Sequence, residues 1–503
     1  MGRSDRGPKT SSPDANVRYA WGAMADLALD LDTQVCSRAR LSRDARFDGK
    51  FYIGVTTSRV YCRPICPART ANEENVRYFP TAAAAAEAGF RPCLRCRPEC
   101  SPGTPAWMGT SNTVSRALRL IAEGGLDERG MEAFAEKLGV GPRHLRRLFV
   151  QYLGAPPSTV ANTRRLQFAK KLIDETDLAM TQIALASGFG CVRRFNAAIQ
   201  STYRRTPTHL RHIARHLPPS APHEYLFRLN FRPPYAWKSV LAFLAARATP
   251  GVEAVERNSY RRTISLRGHH GSLAIEPHAD RDALLLHLEF REPQLLFTIV
   301  ERVRAMFDLN ADWQVIASRL RMSRQLAESV RSNPGLRVPG CWDGFELTVR
   351  AILGQQVSVA AATTMAGRMA RRFGQTTTAP GGLTHLFPAP LVLADADLES
   401  IGITRARAAT IRGLARKVAD GEICFDGVVD APAFLARLEE VRGIGPWTAQ
   451  YVAMRALGEP DAFPSSDGAL LSRWGGNARA LEGQSQAWRP WRAYAAMYLW
   501  SCA

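Results

Sequence analysis

Ten cysteines stand in a chain of 503 residues, and five of them crowd into one short region. Cys62 and Cys66 lie four apart in "YCRPICPART", Cys93 and Cys96 follow in "RPCLRCRPEC", and Cys100 comes just behind. Two cysteine pairs on short loops deliver the four soft donors that zinc takes in tetrahedral geometry. Cys62, Cys66, Cys93 and Cys96 are therefore the expected metal ligands and Zn2+ the expected ion, with Cys100 a spare or a substitute. A purely structural clip is the plain reading. The sharper one is that a sulfur reacts. A zinc tetrathiolate carries net negative charge, so its sulfurs stay nucleophilic at neutral pH without a separate base. Arg63, Arg69, Arg91 and Arg95 could hold a phosphate group against one of them.

A second set of residues lies near the other end. "LEEVRGIGPWTAQYVAMRALG" (Leu438 to Gly458) places Gly443 and Gly445 between two helical stretches. Glycines at that spacing allow a tight hairpin whose backbone N–H groups face outward and grip a DNA phosphate regardless of sequence. A lone carboxylate, Asp467, then opens the next helix in "DAFPSSDGALL". Taken singly, each feature has an ordinary explanation. Gly-x-Gly turns join many helix pairs, Asp467 suits a helix N-cap, and isolated Trp or Tyr residues usually pack a core.

The formal net charge of +20 and a pI near 10.0 point to a polyanionic partner, nucleic acid above all. A hydrophobic content of 46% with 22% charged residues is that of folded protein. No uninterrupted apolar run reaches the ~18 residues that cross a bilayer, and "MGRSDRGPKTSSPDANVR" lacks the apolar segment of a secretory signal. No membrane partner is expected. A cytoplasmic protein with reduced thiols is, and its cysteines are no disulfide framework. Cys36, Cys191, Cys341, Cys424 and Cys502 are scattered and read as small buried hydrophobes.

The elements that must position these residues divide the chain. A tail at 1–18 precedes the cysteine region at 19–104, and an all-helical stretch runs over 110–216. A Pro-rich joint at 217–223 leads into period-two strands ("EYLFRLNF", "RTISLRG", "SLAIEPH", "ALLLHLEF") within 224–335. Helical periodicity then dominates 336–503. The expected class is multidomain and mainly α, with one mixed α+β domain. Within 110–216 there is a repeat. "FAEKLGVGPRHLRRLF" and "IALASGFGCVRRFNAAI" share an Ala, a Gly four residues later and a basic amphipathic helix. Each copy reads as helix-turn-helix, with Arg143, Arg146, Arg193 and Arg194 on the second helices, an arrangement suited to the DNA major groove.

At this point the residues carry resemblances. "RVYCRPICPARTANEENVRYF" with "AAAAEAGFRPCLRCRP" resembles the N-terminal domain of the adaptive-response protein Ada through all four cysteines. The helical repeat resembles the AraC-type double helix-turn-helix that follows it there. The resemblance implies that Cys62 both ligates zinc and accepts a methyl group from a methylated DNA phosphotriester. Methylation removes one negative charge from a DNA-facing site, so DNA affinity should rise and transcription be activated, with RNA polymerase as a further partner. The second methyltransferase motif of Ada, "PCHR", does not occur, so repair of O6-alkylguanine is not expected.

Residues from about Glu224 to Ser501 resemble the 3-methyladenine DNA glycosylase II (AlkA) branch of the helix-hairpin-helix glycosylases. "RVPGCWDGFELTVRAILGQQVSVAAA", the hairpin and "WRPWRAYAAMYLW" carry that resemblance. It implies an antiparallel α/β domain followed by an all-α domain, acting as one monomer. By position Asp467 is the catalytic carboxylate. Trp447, Tyr451 and Trp500 are the aromatic pocket, with Phe243 closing it, and Gln356 fills the gap left by the flipped base. Trp447 stands where bifunctional members carry a lysine, so a monofunctional, cofactor-free enzyme leaving an abasic site is implied. Ser466 and Gly468 depart from the acid and the aromatic common at their positions, which bears on substrate range. Three readings follow: a fused alkylation sensor and glycosylase, a regulator whose glycosylase fold only binds DNA, or a glycosylase whose front half only localises it. The retained carboxylate and aromatic positions, with the arginines around Cys62, favour the first.

Overall fold

The computed structural model describes residues 31–103, 112–122, 124–214, 221–428 and 430–501. The tail expected at 1–18 lies outside them, as do Cys502 and part of the Pro-rich joint.

The cysteine region builds a four-stranded sheet from β1 (Tyr52–Val55), β2 (Val60–Cys62), β3 (Val76–Phe79) and β4 (Arg91–Pro92), in the order β3-β1-β2-β4. β4 runs parallel to β2 and the other pairs are antiparallel. That parallel pairing brings the second cysteine pair beside the first. The Cys93 N–H donates to the Tyr61 carbonyl at 3.0 Å, which fixes the second loop next to the end of β2.

The helical region holds the repeat as drawn from its sequence. Gly139 and Gly188 take the left-handed conformation at φ 69° and 77°, and the helices Pro142–Leu153 and Val192–Tyr203 follow them. Leu145, Phe149 and Leu153 in one copy, and Phe195, Ile199 and Tyr203 in the other, are buried at i, i+4, i+8 spacing. The 19-residue helix Pro157–Glu175 joins the two copies.

The strand-rich region is an antiparallel five-stranded sheet of β5 (Glu224–Asn230), β6 (Glu253–Glu256), β7 (Ser259–Leu266), β8 (His269–Pro277) and β9 (Ala283–Phe290). The strand order is β5-β9-β8-β7-β6. β5 and β9 alternate buried and exposed side chains along most of their length, as sheets covered on one face do. The helix Trp237–Ala245 packs against β6 and β7 and carries Phe243. Helices fill the rest of the chain, closing with Arg492–Ser501.

These regions are packed into one another. The hydrophobic core of the second helix-turn-helix, from Leu166 to Leu210, continues without a break into the core of the five-stranded sheet. The Phe168 and Phe297 rings meet across that joint at 4.7 Å. The cysteine region is bound to the sheet domain by polar contacts instead. Arg232, 1% exposed, donates to the carbonyls of Asp48 (2.8 Å) and Asn310 (2.7 Å) and to that of Gly103. Lys50 pairs with Asp312 at 2.5 Å. Arg119 and Arg164 of the helical region reach Glu459 and Glu301. No helix among the described residues is long and apolar enough to cross a membrane.

Candidate active site and metal centre

Asp467 is the N-cap of the helix Gly468–Trp474, its Oδ1 accepting from the N–H groups of Ala469 (3.1 Å) and Leu470 (3.0 Å). The capping role and the site are one geometry. Trp500 Nε1 also donates to Oδ1 at 3.0 Å, and Trp447 Nε1 donates to Oδ2 at 2.9 Å. Three separate elements converge here: the helix Pro446–Arg455 brings Trp447, the last helix brings Trp500, and the loop before Gly468 brings the acid. Trp447 stacks on Tyr451 at 5.4 Å and 10°, and Tyr451 meets Trp500 edge-on at 6.3 Å. All three aromatics are half-buried. Ser466 and Gly468 are exposed.

Two arginines that the motif reading missed complete this pocket. Arg455 donates to the Tyr451 hydroxyl at 2.7 Å and lies 4.9 Å from the Phe243 ring, while Arg247 lies 3.8 Å over the same ring. Arg455 is anchored by donating to the carbonyls of Pro339 and Gly340. Burial pushes the Tyr451 phenol up, but Arg455 and Arg247 outweigh it and leave the phenol below its ordinary value. Helical spacing was the available signal, since each arginine stands four residues after the aromatic it covers.

The hairpin between Ala431–Glu439 and Pro446–Arg455 turns at Gly443, φ 96°. A Cβ there would also run into the Thr410 hydroxyl, so glycine is required twice over. Gly445 is different: its φ is −110° and the space where a Cβ would go is empty. Gln356 is exposed, at φ 56°, on the loop between the helices Gly344–Leu353 and Val359–Phe373.

In the cysteine region the four Sγ atoms of Cys62, Cys66, Cys93 and Cys96 all lie within 4.8 Å of one another. Zn–S bonds of ~2.3 Å in a tetrahedron put sulfurs about 3.8 Å apart, so the donor set fits that ion. Cys93 and Cys96 are buried and Cys62 and Cys66 half-buried, so the first pair faces outward. Cys100 is not a fifth ligand. It is 4% exposed and packs between Glu175 and Arg228.

Two expectations need correction. Arg63 does not face a phosphate: it is 4% exposed and ion-paired with the equally buried Asp48. Its Nη1 donates to the Cys96 carbonyl at 3.0 Å and its backbone N–H points at Cys96 Sγ at 3.4 Å. A guanidinium cannot leave so dry a partner without stranding the carboxylate. Arg69 and Arg95 are exposed and Arg91 half-buried. Among the scattered cysteines, Cys36 is buried and Cys341 half-buried, but Cys191 and Cys424 are exposed. On the second helix of each helix-turn-helix, Arg143, Arg146, Arg193 and Arg194 all face solvent.

Four family models match in chain order. They are the metal binding domain of Ada over residues 35–99, a helix-turn-helix domain over 134–213, the AlkA N-terminal domain over 226–343 and the HhH-GPD superfamily base excision DNA repair protein over 349–489. A probable bifunctional transcriptional activator/DNA repair enzyme AlkA of Mycobacterium tuberculosis is 42% identical over 480 residues, 93% of this chain and 96% of that protein. The chain belongs to that family. As an AlkA-type bifunctional protein it joins an Ada-like regulatory half to a glycosylase half of the helix-hairpin-helix superfamily. The halves also match separate proteins. DNA-3-methyladenine glycosylase 2 of Escherichia coli is 33% identical over 280 residues, 55% of this chain and 96% of its own. The Escherichia coli bifunctional transcriptional activator/DNA repair enzyme Ada is 32% identical over 177 residues, 35% of this chain and 48% of its own.

Proposed function

We propose that the protein senses alkylated DNA at Cys62 and excises alkylated bases at Asp467. The observation that carries the glycosylase reading is the convergence of Asp467 with Trp447, Trp500 and Tyr451 beside a DNA-gripping hairpin. Alkylation at N3 or N7 leaves a purine positively charged and ready to depart, as in 3-methyladenine and 7-methylguanine. A flipped cationic base can stack against these half-buried aromatic rings. As the bond from C1′ to the base nitrogen breaks, its electron pair leaves with the base. The sugar becomes oxocarbenium-like, and the Asp467 carboxylate stabilises it and orients the water whose oxygen bonds to C1′ as one of its protons passes to the carboxylate and on to solvent. Two capping N–H groups and two indoles hold that carboxylate in place, so little reorganisation is needed. Trp447 offers no amine for a Schiff base, and an abasic site is the product.

In the front half the four cysteines would hold Zn2+, which when bound keeps their sulfurs as thiolates. The Cys62 sulfur forms a bond to the methyl carbon of a methylphosphotriester while the methyl–oxygen bond breaks and a phosphodiester anion leaves. Cys62 becomes a thioether, the protein is consumed, and one negative charge is lost from the DNA-facing side. The exposed arginines of the two helix-turn-helix units then hold an operator more tightly, as an activator requires. A cytoplasmic monomer working on chromosomal DNA with RNA polymerase fits this reading.

The decisive experiment measures abasic sites in a duplex carrying methylated purines, with the wild type and Asp467→Asn. Release by the wild type that vanishes in the variant is expected. No release by the wild type would leave the glycosylase half as a DNA-binding module of a regulator, and equal release would move the active site elsewhere. Mass spectrometry of the Cys62 peptide after exposure to methylphosphotriester DNA tests the sensor. One added methyl is expected there and none in Cys62→Ser.

A further inference from the structure

Arg232 is buried between two regions of the chain, yet the acceptors it reaches are main-chain carbonyls. Those of Asp48 (2.8 Å), Gly103 and, at 3.5 Å, Pro102 belong to the cysteine region, and that of Asn310 (2.7 Å) to the sheet domain. The two surfaces are close-packed around it. The Gly103 N–H donates to Asn310 Oδ1 at 3.2 Å, and a Cβ at Gly103 would stand 2.8 Å from that same atom. Burial pulls the guanidinium below its ordinary pKa, with Asp312 and Asp48 opposing the shift. A guanidinium carries its donors in a rigid planar fork, so Arg232 is satisfied only while both regions keep their carbonyls in place. Docking is therefore all-or-none at this residue.

On one side those carbonyls are set by the cysteine cluster. Asp48 is ion-paired with Arg63, whose Nη1 donates to the Cys96 carbonyl at 3.0 Å. Pro102 and Gly103 follow the turn Pro98–Cys100 that leaves the second cysteine pair. On the other side the Arg232 carbonyl accepts from Arg337 at 3.0 Å, and Arg337 also donates to the carbonyls of Pro234 (3.0 Å) and Gly335 (3.1 Å). Two residues further on, the carbonyls of Pro339 and Gly340 accept from Arg455 at 2.7 and 2.8 Å. Arg455 in turn donates to the Tyr451 hydroxyl at 2.7 Å. Arg63, Asp48, Arg232, Arg337 and Arg455 are all buried, so a donor that loses its acceptor cannot turn to water without moving its neighbours.

We infer that closing the four-cysteine cluster holds Arg232 docked and, through Arg337 and Arg455, steadies Tyr451 in the pocket of the other half. Arg232 is then a positioning residue, and the cysteine region acts on the pocket directly as well as through DNA. When the cluster opens, Arg232 loses the Asp48 and Gly103 carbonyls together, and the segment 335–340 loosens with it. The coupling is reciprocal, so whatever orders the pocket also favours the closed cluster. Neither catalysis at Asp467 nor methylation of Cys62 is needed for it.

The test is hydrogen exchange, read by mass spectrometry on the full-length protein before and after a zinc chelator is added. Amides of 335–340 and 451–455 should exchange roughly tenfold faster after chelation, within the usual range of coupling between sites. The helix Val359–Phe373, outside this chain of contacts, should keep its rate. Arg232→Met should lose that response at both segments although its cysteine region still opens. A merely structural arginine would instead raise exchange throughout the protein and leave the chelator's effect in place. If Arg232→Met does not fold, Arg232→Lys replaces it: the charge is kept, the fork is lost, and the response should vanish too. Unchanged exchange at either segment after chelation, or a variant that responds as the wild type does, overturns the inference. Metal content is measured on the same sample and no base release is involved, so failure of the zinc site or of the glycosylase reaction shows itself separately.

Discussion

The indole nitrogen of Trp447 stands 2.9 Å from Oδ2 of Asp467, on the opposite carboxylate oxygen from the one that caps a helix. One residue of the pocket therefore has two separable jobs: its ring stacks on Tyr451, and its N–H orients the acid.

Trp447→Phe separates them. The ring contact survives and the donor is lost. Hydrogen bonds to charged groups are worth about 1.5–3 kcal/mol, so the rate of base release should fall roughly ten- to a hundred-fold. KM and thermal stability should change little. Steady-state excision kinetics and a melting curve check this, and a change confined to KM would show that the N–H does not act on the acid.

Arg63 and Arg69 lie six residues apart in the same basic loop and should respond oppositely. Arg63→Ala leaves Asp48 buried without its cation, which costs about 3–5 kcal/mol, and should lower the melting temperature of the cysteine region. Arg69→Ala removes an exposed charge. It should leave melting unchanged while flattening the dependence of DNA affinity on salt by about one counterion. Calorimetry and affinity measured at several salt concentrations distinguish the two.

Removing the metal should expose what it holds together. Cys93 and Cys96 are 8% and 7% exposed and have no disulfide to keep the two loops in place. Structural zinc contributes about 10–16 kcal/mol of apparent binding energy in small sites. Chelation should make all four thiols of the cluster available to a thiol reagent. Cys191 and Cys424 should react before and after. A count of labelled cysteines by mass spectrometry reads this directly.

Asp308 should give the protein a pH-dependent stability in mildly acidic solution. Burial pushes its carboxyl from 3.8 up to about 6, against the pull of Arg337, the Tyr494 hydroxyl and the Val338 N–H. The folded state therefore binds this proton more tightly than the unfolded one. The resulting stability is complete below about pH 4 and is lost as pH rises through about 6. Asp308→Asn cannot lose that proton, so its melting temperature relative to the wild type should rise between pH 4 and pH 8. A constant difference across that range would refute the assignment.

Much of both candidate sites could be read without coordinates because the relevant signals are local. Cys62 and Cys66 sit on one loop and Cys93 and Cys96 on another, so sequence spacing carries the ligand geometry. Gly443 is demanded by its own backbone, and Asp467 precedes its helix as an N-cap must. The repeat around Gly139 and Gly188 shows itself by self-similarity. What could not be read depends on distant partners. Arg63 looks like its basic neighbours in sequence, and only Asp48, brought up against it by the fold, turns it inward. Cys191 and Cys424 are of a residue type usual in cores and are nonetheless exposed. Arg455 and Arg247 meet over Phe243 although more than two hundred residues separate them.

The sequence alone determined the order of the modules, the pairing of the four clustered cysteines and the place of Asp467 ahead of its helix, because each depends on residue type and short-range spacing. Only the tertiary structure decided that the modules are packed together. The second helix-turn-helix shares its core with the five-stranded sheet, and Arg232 fastens the cysteine region to it through the carbonyls of Asp48 and Gly103. A hydrophobic face or a buried guanidinium does not carry the identity of its partner in its own local pattern. That choice is made by which surfaces exclude water together, and it exists only once the chain has folded.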